Sequence, residues 1–215
     1  LHRVLDTWWV EDVEPRMRGE AFLIRYADDF VLCFEREDDA RRVQAVLPER
    51  FQKYGLSLHP EKTRLLRFER PAKSGALPTS VPGSVRSFDF LGFTHHWAKA
   101  RNGSWMVMRR TMRSRFTRTL GAIAEWCRQH MHAPLAYQAK MLGMKLKGHD
   151  AYLGITGNSG MIWKLRHFVK LIWWRSLRRR SQRILNANTF YKVILARYPL
   201  PPARAVHSTL RKAKL

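Results

Sequence analysis

Asp28 and Asp29 lie side by side between two β-prone runs, Phe22-Leu23-Ile24 and Phe30-Val31-Leu32. Two carboxylates a few Å apart repel one another unless a cation sits between them, and a divalent metal ion removes that cost. A solvated turn is the plain alternative, because Asp is common in turns through local hydrogen bonding. The cations carry a second kind of chemistry. Arg109, Arg110, Arg113, Arg115 and Arg118 crowd one stretch, and Lys164, Arg166, Lys170, Arg175, Arg178, Arg179, Arg180 and Arg183 crowd another with no acid between them. A helix face that positive repels itself unless phosphate neutralises it, which predicts a polyanionic partner. Trp163, Trp173 and Trp174 are interleaved with these charges and read as packing residues. His95 and His96 are adjacent rather than at a ligand spacing, and Cys33 and Cys127 lack the partners of a zinc cluster.

The elements that must position these residues follow from local pattern. Ala21–Tyr26 and Phe30–Phe34 read as a hairpin with Ala27-Asp28-Asp29 at its tip. Asp38 and Asp39 open a helix with Val43, Val46, Leu47 and Phe51 on one face, closed by Gly55, and Pro48 within it predicts a kink or a split. Leu56–Leu58 and Thr63–Phe68 read as short strands around His59-Pro60-Glu61-Lys62. Ser87–Thr94 with Trp105–Met108 reads as a second hairpin. From Arg109 onward helical periodicity dominates, with helices expected at about 110–131, 134–147, 159–185 and 187–197.

The chain has 215 residues, 45% of them hydrophobic and 12% aromatic, enough to bury a core. Its formal charge is +23, unevenly spread. Residues 1–70 hold 14 of the 17 acids and 13 of the 40 cations, a net −1. The other 27 cations face only Asp89, Glu125 and Asp150, a net +24. An α+β unit followed by a basic helical module is therefore expected, joined through the stretch Arg70–Ser87 with Pro71, Gly75, Pro78, Pro82 and Gly83. No apolar run approaches the ~20 residues of a membrane span. Two cysteines and no secretory leader favour a reducing, cytoplasmic compartment. Leu1, Val4, Leu5 and Trp8 follow a helical period from the first residue, as expected of the C-terminal portion of a longer protein.

Phe22-Leu23-Ile24-Arg25-Tyr26-Ala27-Asp28-Asp29-Phe30-Val31 resembles the YADD-type motif of reverse transcriptases, and three further segments follow in that family's order. Gly55–Thr63 resembles the next palm motif, and Phe88-Asp89-Phe90-Leu91-Gly92-Phe93 resembles the primer-grip hairpin. Lys145-Leu146-Lys147-Gly148-His149, with Tyr152-Leu153-Gly154-Ile155-Thr156-Gly157-Asn158, resembles the maturase region, or domain X, of bacterial group II intron reverse transcriptases. Arg197–Pro202 and Val206-His207-Ser208 are similar to the end of that region, and Leu1–Asp6 resembles a helix just downstream of an earlier palm motif.

The resemblance implies a partial palm over 1–70, a linker and primer-grip hairpin over 71–108 and a helical thumb and maturase module over 109–215. It implies RNA-directed DNA polymerase activity and assistance of intron splicing, with group II intron RNA, RNA template, DNA primer and dNTP as partners and Mg2+ as cofactor. By the same resemblance Asp28 is a metal ligand and Asp29 an intermittent one. Tyr26 packs beneath the primer terminus, Lys62 places a cation near the triphosphate, and Phe90, Leu91, Gly92 and Phe93 form the primer grip. Lys147 and His149 join the arginines and lysines named above as RNA contacts. The family's further metal-binding aspartate and its Pro-Gln-Gly segment have no counterpart in the sequence, so the chain alone is expected to bind RNA without polymerising. A non-catalytic RNA-binding splicing factor or degenerate remnant is the alternative, and a retron or defence-type enzyme a third.

Overall fold

The computed structural model describes residues 1–72, 84–100, 102–180 and 185–207. Most of the expected linker, including Gly75, Pro78, Pro82 and Gly83, and also Arg183 and Ser208, lie outside them. The fold is a mixture of helices and antiparallel strands, compatible with an α+β palm-like fold, and it divides into two compact units, Leu1–Arg86 and Ser87–Leu215.

In the first unit an opening helical segment, His2–Thr7 and Trp9–Val13, has wide π-type turns and buries Val4, Leu5, Trp9 and Val13. The antiparallel hairpin β1 (Ala21–Tyr26) and β2 (Asp29–Phe34) follows. Its inner face, with Leu23, Phe30, Leu32 and Phe34, packs on the buried residues of that segment and of helix α1 (Glu37–Gln52). Three acids in the first turn of α1 complement the helix dipole. Its end is closed by Gly55 at φ +69°, whose N–H reaches the Gln52 carbonyl at 3.0 Å while Leu56 N–H reaches that of Phe51 at 3.0 Å.

Pro48 does not split this helix. Pro48 and Gln44 are both exposed, so the Gln44 carbonyl that loses its donor faces water, while Val43, Leu47 and Phe51 keep the buried stripe continuous. Leu56–Leu58 and Thr63–Phe68 do not form the expected strands, because among the described residues no neighbouring strand takes up their ladder groups beyond the single bridge of Arg67 to Ser84. Between them the amides of Lys62 and Thr63 turn back onto the His59 carbonyl at 3.2 and 2.9 Å.

The second unit opens with three antiparallel strands where two were expected: β3 (Ser87–Phe90), β4 (Phe93–Lys99) and β5 (Trp105–Thr111). Trp105–Met108 pairs with the far half of β4, and the hairpin turn of Ser87–Thr94 lies within that segment, at Leu91-Gly92. β5 runs through Thr111, so Arg109 and Arg110 are strand residues and the first long helix starts later than 110. The helices are α2 (Arg113–Gln129), α3 (Leu135–Leu153) and α4 (Ser159–Arg178), with a further helical stretch over 187–197. α3 outruns the expected 147 because Asp150 and Leu153 are buried and carry its inner stripe onward. α4 stops short of 185, its last amides, Arg179 and Arg180, turning onto the carbonyls of Ser176 and Leu177 at 3.1 Å each. The core gathers Phe116, Ile123 and Cys127 of α2, Leu142 and Leu146 of α3, and Leu165, Val169, Trp173 and Leu177 of α4 around Phe190.

Candidate nucleic-acid and metal site

The β1–β2 connection is two residues long, since Tyr26 pairs directly with Asp29. Ala27 therefore takes φ +55°, a left-handed conformation that costs a residue with a Cβ roughly 1–2 kcal/mol. The Arg25 guanidinium answers this strain: Nη1 donates to the Ala27 carbonyl at 2.8 Å, while Nε and Nη2 donate to the two Asp6 oxygens at 2.6 Å each. The Arg25 hydrogen bond holds the Asp6 carboxyl below its ordinary range against a smaller opposing effect of burial. Asp28 at the turn and Asp29 at the start of β2 are exposed, and neither carboxylate has a hydrogen-bond or ion-pair partner among the described residues. Tyr26 is 64% exposed on the outer face that carries Phe22 and Ile24.

Two unpaired carboxylates are hard oxygen donors of the kind Mg2+ takes when it keeps several waters and shares its shell with substrate phosphates. No third His, Cys, Asp or Glu joins them in a cluster among the described residues. Lys62 sits in the exposed turn after His59, its ammonium unbonded among the described residues.

Residues 4–95 match the family model for reverse transcriptase (RNA-dependent DNA polymerase). No curated protein matches the chain. The reverse-transcriptase match runs from the opening helical segment through the hairpin into β4. It supports a reverse transcriptase family and, in general terms, RNA-directed DNA polymerase activity; such enzymes bind RNA template, primer and dNTP and use Mg2+. No helix among the described residues is long and apolar enough to cross a membrane.

In the second unit Leu91 and Gly92 both take positive φ, +49° and +78°, which makes the tight turn between β3 and β4. The Leu91 carbonyl accepts the Tyr152 hydroxyl at 3.1 Å and the Gly92 carbonyl accepts the Met112 amide at 3.0 Å. Phe93 is buried with Leu153 and Ile155, while Phe90 is half-buried. Arg110, Arg113, Arg118, Lys147, Lys164, Arg175, Arg178, Arg179 and Arg180 are exposed, and Arg109, Arg115 and Lys170 half-buried. Arg113 and Arg118 line an open groove of about 730 Å³ with Ser87, Asp89, Thr94, Ser114 and Thr117. Burial first, and then Arg109, lowers the His95 imidazole below its ordinary value.

Two expected RNA contacts are placed otherwise. Arg166 is 4% exposed; Nη2 is bonded to Asp150, and Nε donates to the Pro201 carbonyl at 2.9 Å. The His149 side chain is buried beside the same carboxylate. Charge counting treats all cations alike and carries no sign of which of them is paired inside the fold. Sequence reading also gives no role to Asp6, Arg25 or Asn158. The Asn158 side chain is buried, accepts the Thr111 amide at 2.9 Å and donates to the Leu153 carbonyl at 2.8 Å, tying β5 to the α3–α4 junction. Burial pushes the Cys127 thiol up to about 12, which leaves it inert at neutral pH.

Proposed function

We propose that this chain is the palm end, thumb and maturase region of a group II intron reverse transcriptase, which copies RNA into DNA for intron mobility and binds intron RNA to promote splicing in the bacterial cytoplasm. The observation that carries the reading is the hairpin tip: two carboxylates without a partner among the described residues, on a braced, strained turn inside the stretch matched to the reverse transcriptase family. The basic second unit adds support. Its acids Asp89, Glu125 and Asp150 are bonded to Thr94, Arg128 and Arg166, which leaves the exposed arginines and lysines for a polyanion.

In this reading Asp28 holds Mg2+ and Asp29 joins it intermittently, while Tyr26 supports the primer terminus and Lys62 faces the triphosphate. Bound Mg2+ supplies charge stabilisation to the attacking and leaving oxygens. Phe90–Phe93 grip the primer. The chain alone binds intron RNA without extending a primer, since the family's further aspartate and Pro-Gln-Gly segment are missing from its sequence.

The test is binding to a group II intron RNA against an unrelated RNA over a salt series, with primer extension in Mg2+ run beside it. Tight binding that falls steeply with salt, without extension, is expected. Extension that Asp28→Ala abolishes would overturn the claim that the further aspartate is indispensable, and a flat salt dependence would overturn the RNA reading.

A further inference from the structure

We propose that Arg115 is a built receptor for one phosphodiester of a nucleic-acid strand crossing the Leu91-Gly92 turn, with Tyr152 and Gly92 as the residues that position it. The inference rests on reading this turn as a strand grip. The Arg115 guanidinium carbon lies 4.7 Å from the centroid of the Tyr152 ring. Its Nη1 lies so close over Gly92 that a Cβ there would stand 2.1 Å from it. The φ of +78° favours glycine at position 92, and the guanidinium takes the space that a Cβ would otherwise fill.

The Leu91 and Gly92 carbonyls accept from the Tyr152 hydroxyl and the Met112 amide, and neither accepts from the Arg115 guanidinium. The guanidinium has no hydrogen-bond acceptor or acid partner among the described residues, and Asp89, Glu125 and Asp150 are each engaged elsewhere. Tyr152 is held in turn by its bond to Leu91 and by the Phe93 ring stacked on it at 6.3 Å. A planar fork of donors, fixed by aromatic packing and lacking an acceptor, is pre-organised for two oxygens of one phosphate. The arginines at the end of α4 differ: Arg175, Arg179 and Arg180 are exposed and meet no such pair of walls.

The experiment measures affinity of the full chain for a short RNA–DNA primer duplex, unmodified or carrying one neutral methylphosphonate at each primer linkage in turn. Arg115→Met should weaken binding of the unmodified duplex by about 10-fold and lower the salt slope by about one contact. One linkage should reproduce that loss in the wild-type chain and cause no further loss in Arg115→Met. Tyr152→Phe keeps the ring and should retain that linkage preference, while Tyr152→Leu should lose it. Additive losses at every linkage would overturn the receptor and leave Arg115 a diffuse charge. Failure of the wild-type chain to bind any duplex would overturn the strand-grip reading itself. The methylphosphonate series on the wild-type chain decides between these outcomes even if a variant fails to fold.

Discussion

Arg25 and Asp6 share a two-pronged ion pair, 2.6 Å on each prong, and the third contact of the same guanidinium, to the Ala27 carbonyl, makes that pair a brace for the turn that presents Asp28. The two side chains are 27% and 24% exposed, so solvent screens the pair, and its part is to hold the geometry of the turn rather than to add much to overall stability. Arg25→Lys, which cannot fork, and Asp6→Asn should each raise amide hydrogen exchange at Asp28 and Asp29 several-fold. Ala27→Gly should reverse part of that loss, because glycine takes positive φ without the Cβ penalty.

The same pair has an acid limit. Asp6 titrates below its ordinary value of 3.8, chiefly through the Arg25 hydrogen bond. A carboxyl lowered by folding contributes fully above its unfolded value and loses that contribution as pH falls through its folded one. Exchange protection at the tip should therefore persist down to 3.8 and drop below it, and Asp6→Asn should lack that step. An identical step in the variant would assign it to another acid, such as Asp38, which Arg36 also holds low.

A second pH window belongs to the helical unit. Burial lowers the His149 imidazole below 6.5, opposed by Asp150 and assisted by Arg166 and Arg115. A base lowered by folding is neutral in the fold, so its contribution is present above 6.5 and is lost as pH falls toward the folded value. Thermal stability should decline on acidification from 6.5, and His149→Asn should flatten the decline. The part that remains belongs to His95, lowered in the same sense, and His95→Asn should remove it.

The hairpin is legible in the sequence because its signals are local: two β-prone runs, Phe22-Leu23-Ile24 and Phe30-Val31-Leu32, flank a short tip that sets the turn. The brace is not, since Asp6 and Arg25 stand 19 residues apart and nothing in either neighbourhood marks the pair. Tyr152 is visible only as part of a motif; its hydroxyl partner, Leu91, lies 61 residues away in another element. The missing strands at Leu56–Leu58 and Thr63–Phe68 show the converse, because β-prone residues without a neighbouring strand remain loop.

Asp150 and Arg166 make a buried pair that should behave asymmetrically. Removing one partner leaves the other charge buried and unpaired, at a cost of ~3–5 kcal/mol. Asp150→Ala is expected to unfold the second unit at lower denaturant by that amount. The double variant Asp150→Leu with Arg166→Met should recover most of the loss, since no buried charge remains. Chemical denaturation read on the helical signal checks both.

Trp173 separates packing from hydrogen bonding in the core. Its ring is fully buried against Phe190 at a centroid distance of 5.6 Å, and its indole N–H donates to Gln138 Oε1 at 2.8 Å. Gln138 in turn donates to the Met131 and Ala133 carbonyls at 3.2 and 2.8 Å, closing the loop between α2 and α3. Trp173→Phe keeps much of the apolar contact but strands the Gln138 oxygen in a buried site, which should cost about 1–3 kcal/mol. Trp173→Ala adds a cavity and should cost about 3–5 kcal/mol. Gln138→Leu paired with Trp173→Phe removes both polar partners and should recover stability relative to Trp173→Phe alone, unless the bonds to Met131 and Ala133 contribute more than the indole bond does. In that case the double variant unfolds at lower denaturant than Trp173→Phe, and the loop rather than the indole is what Gln138 holds.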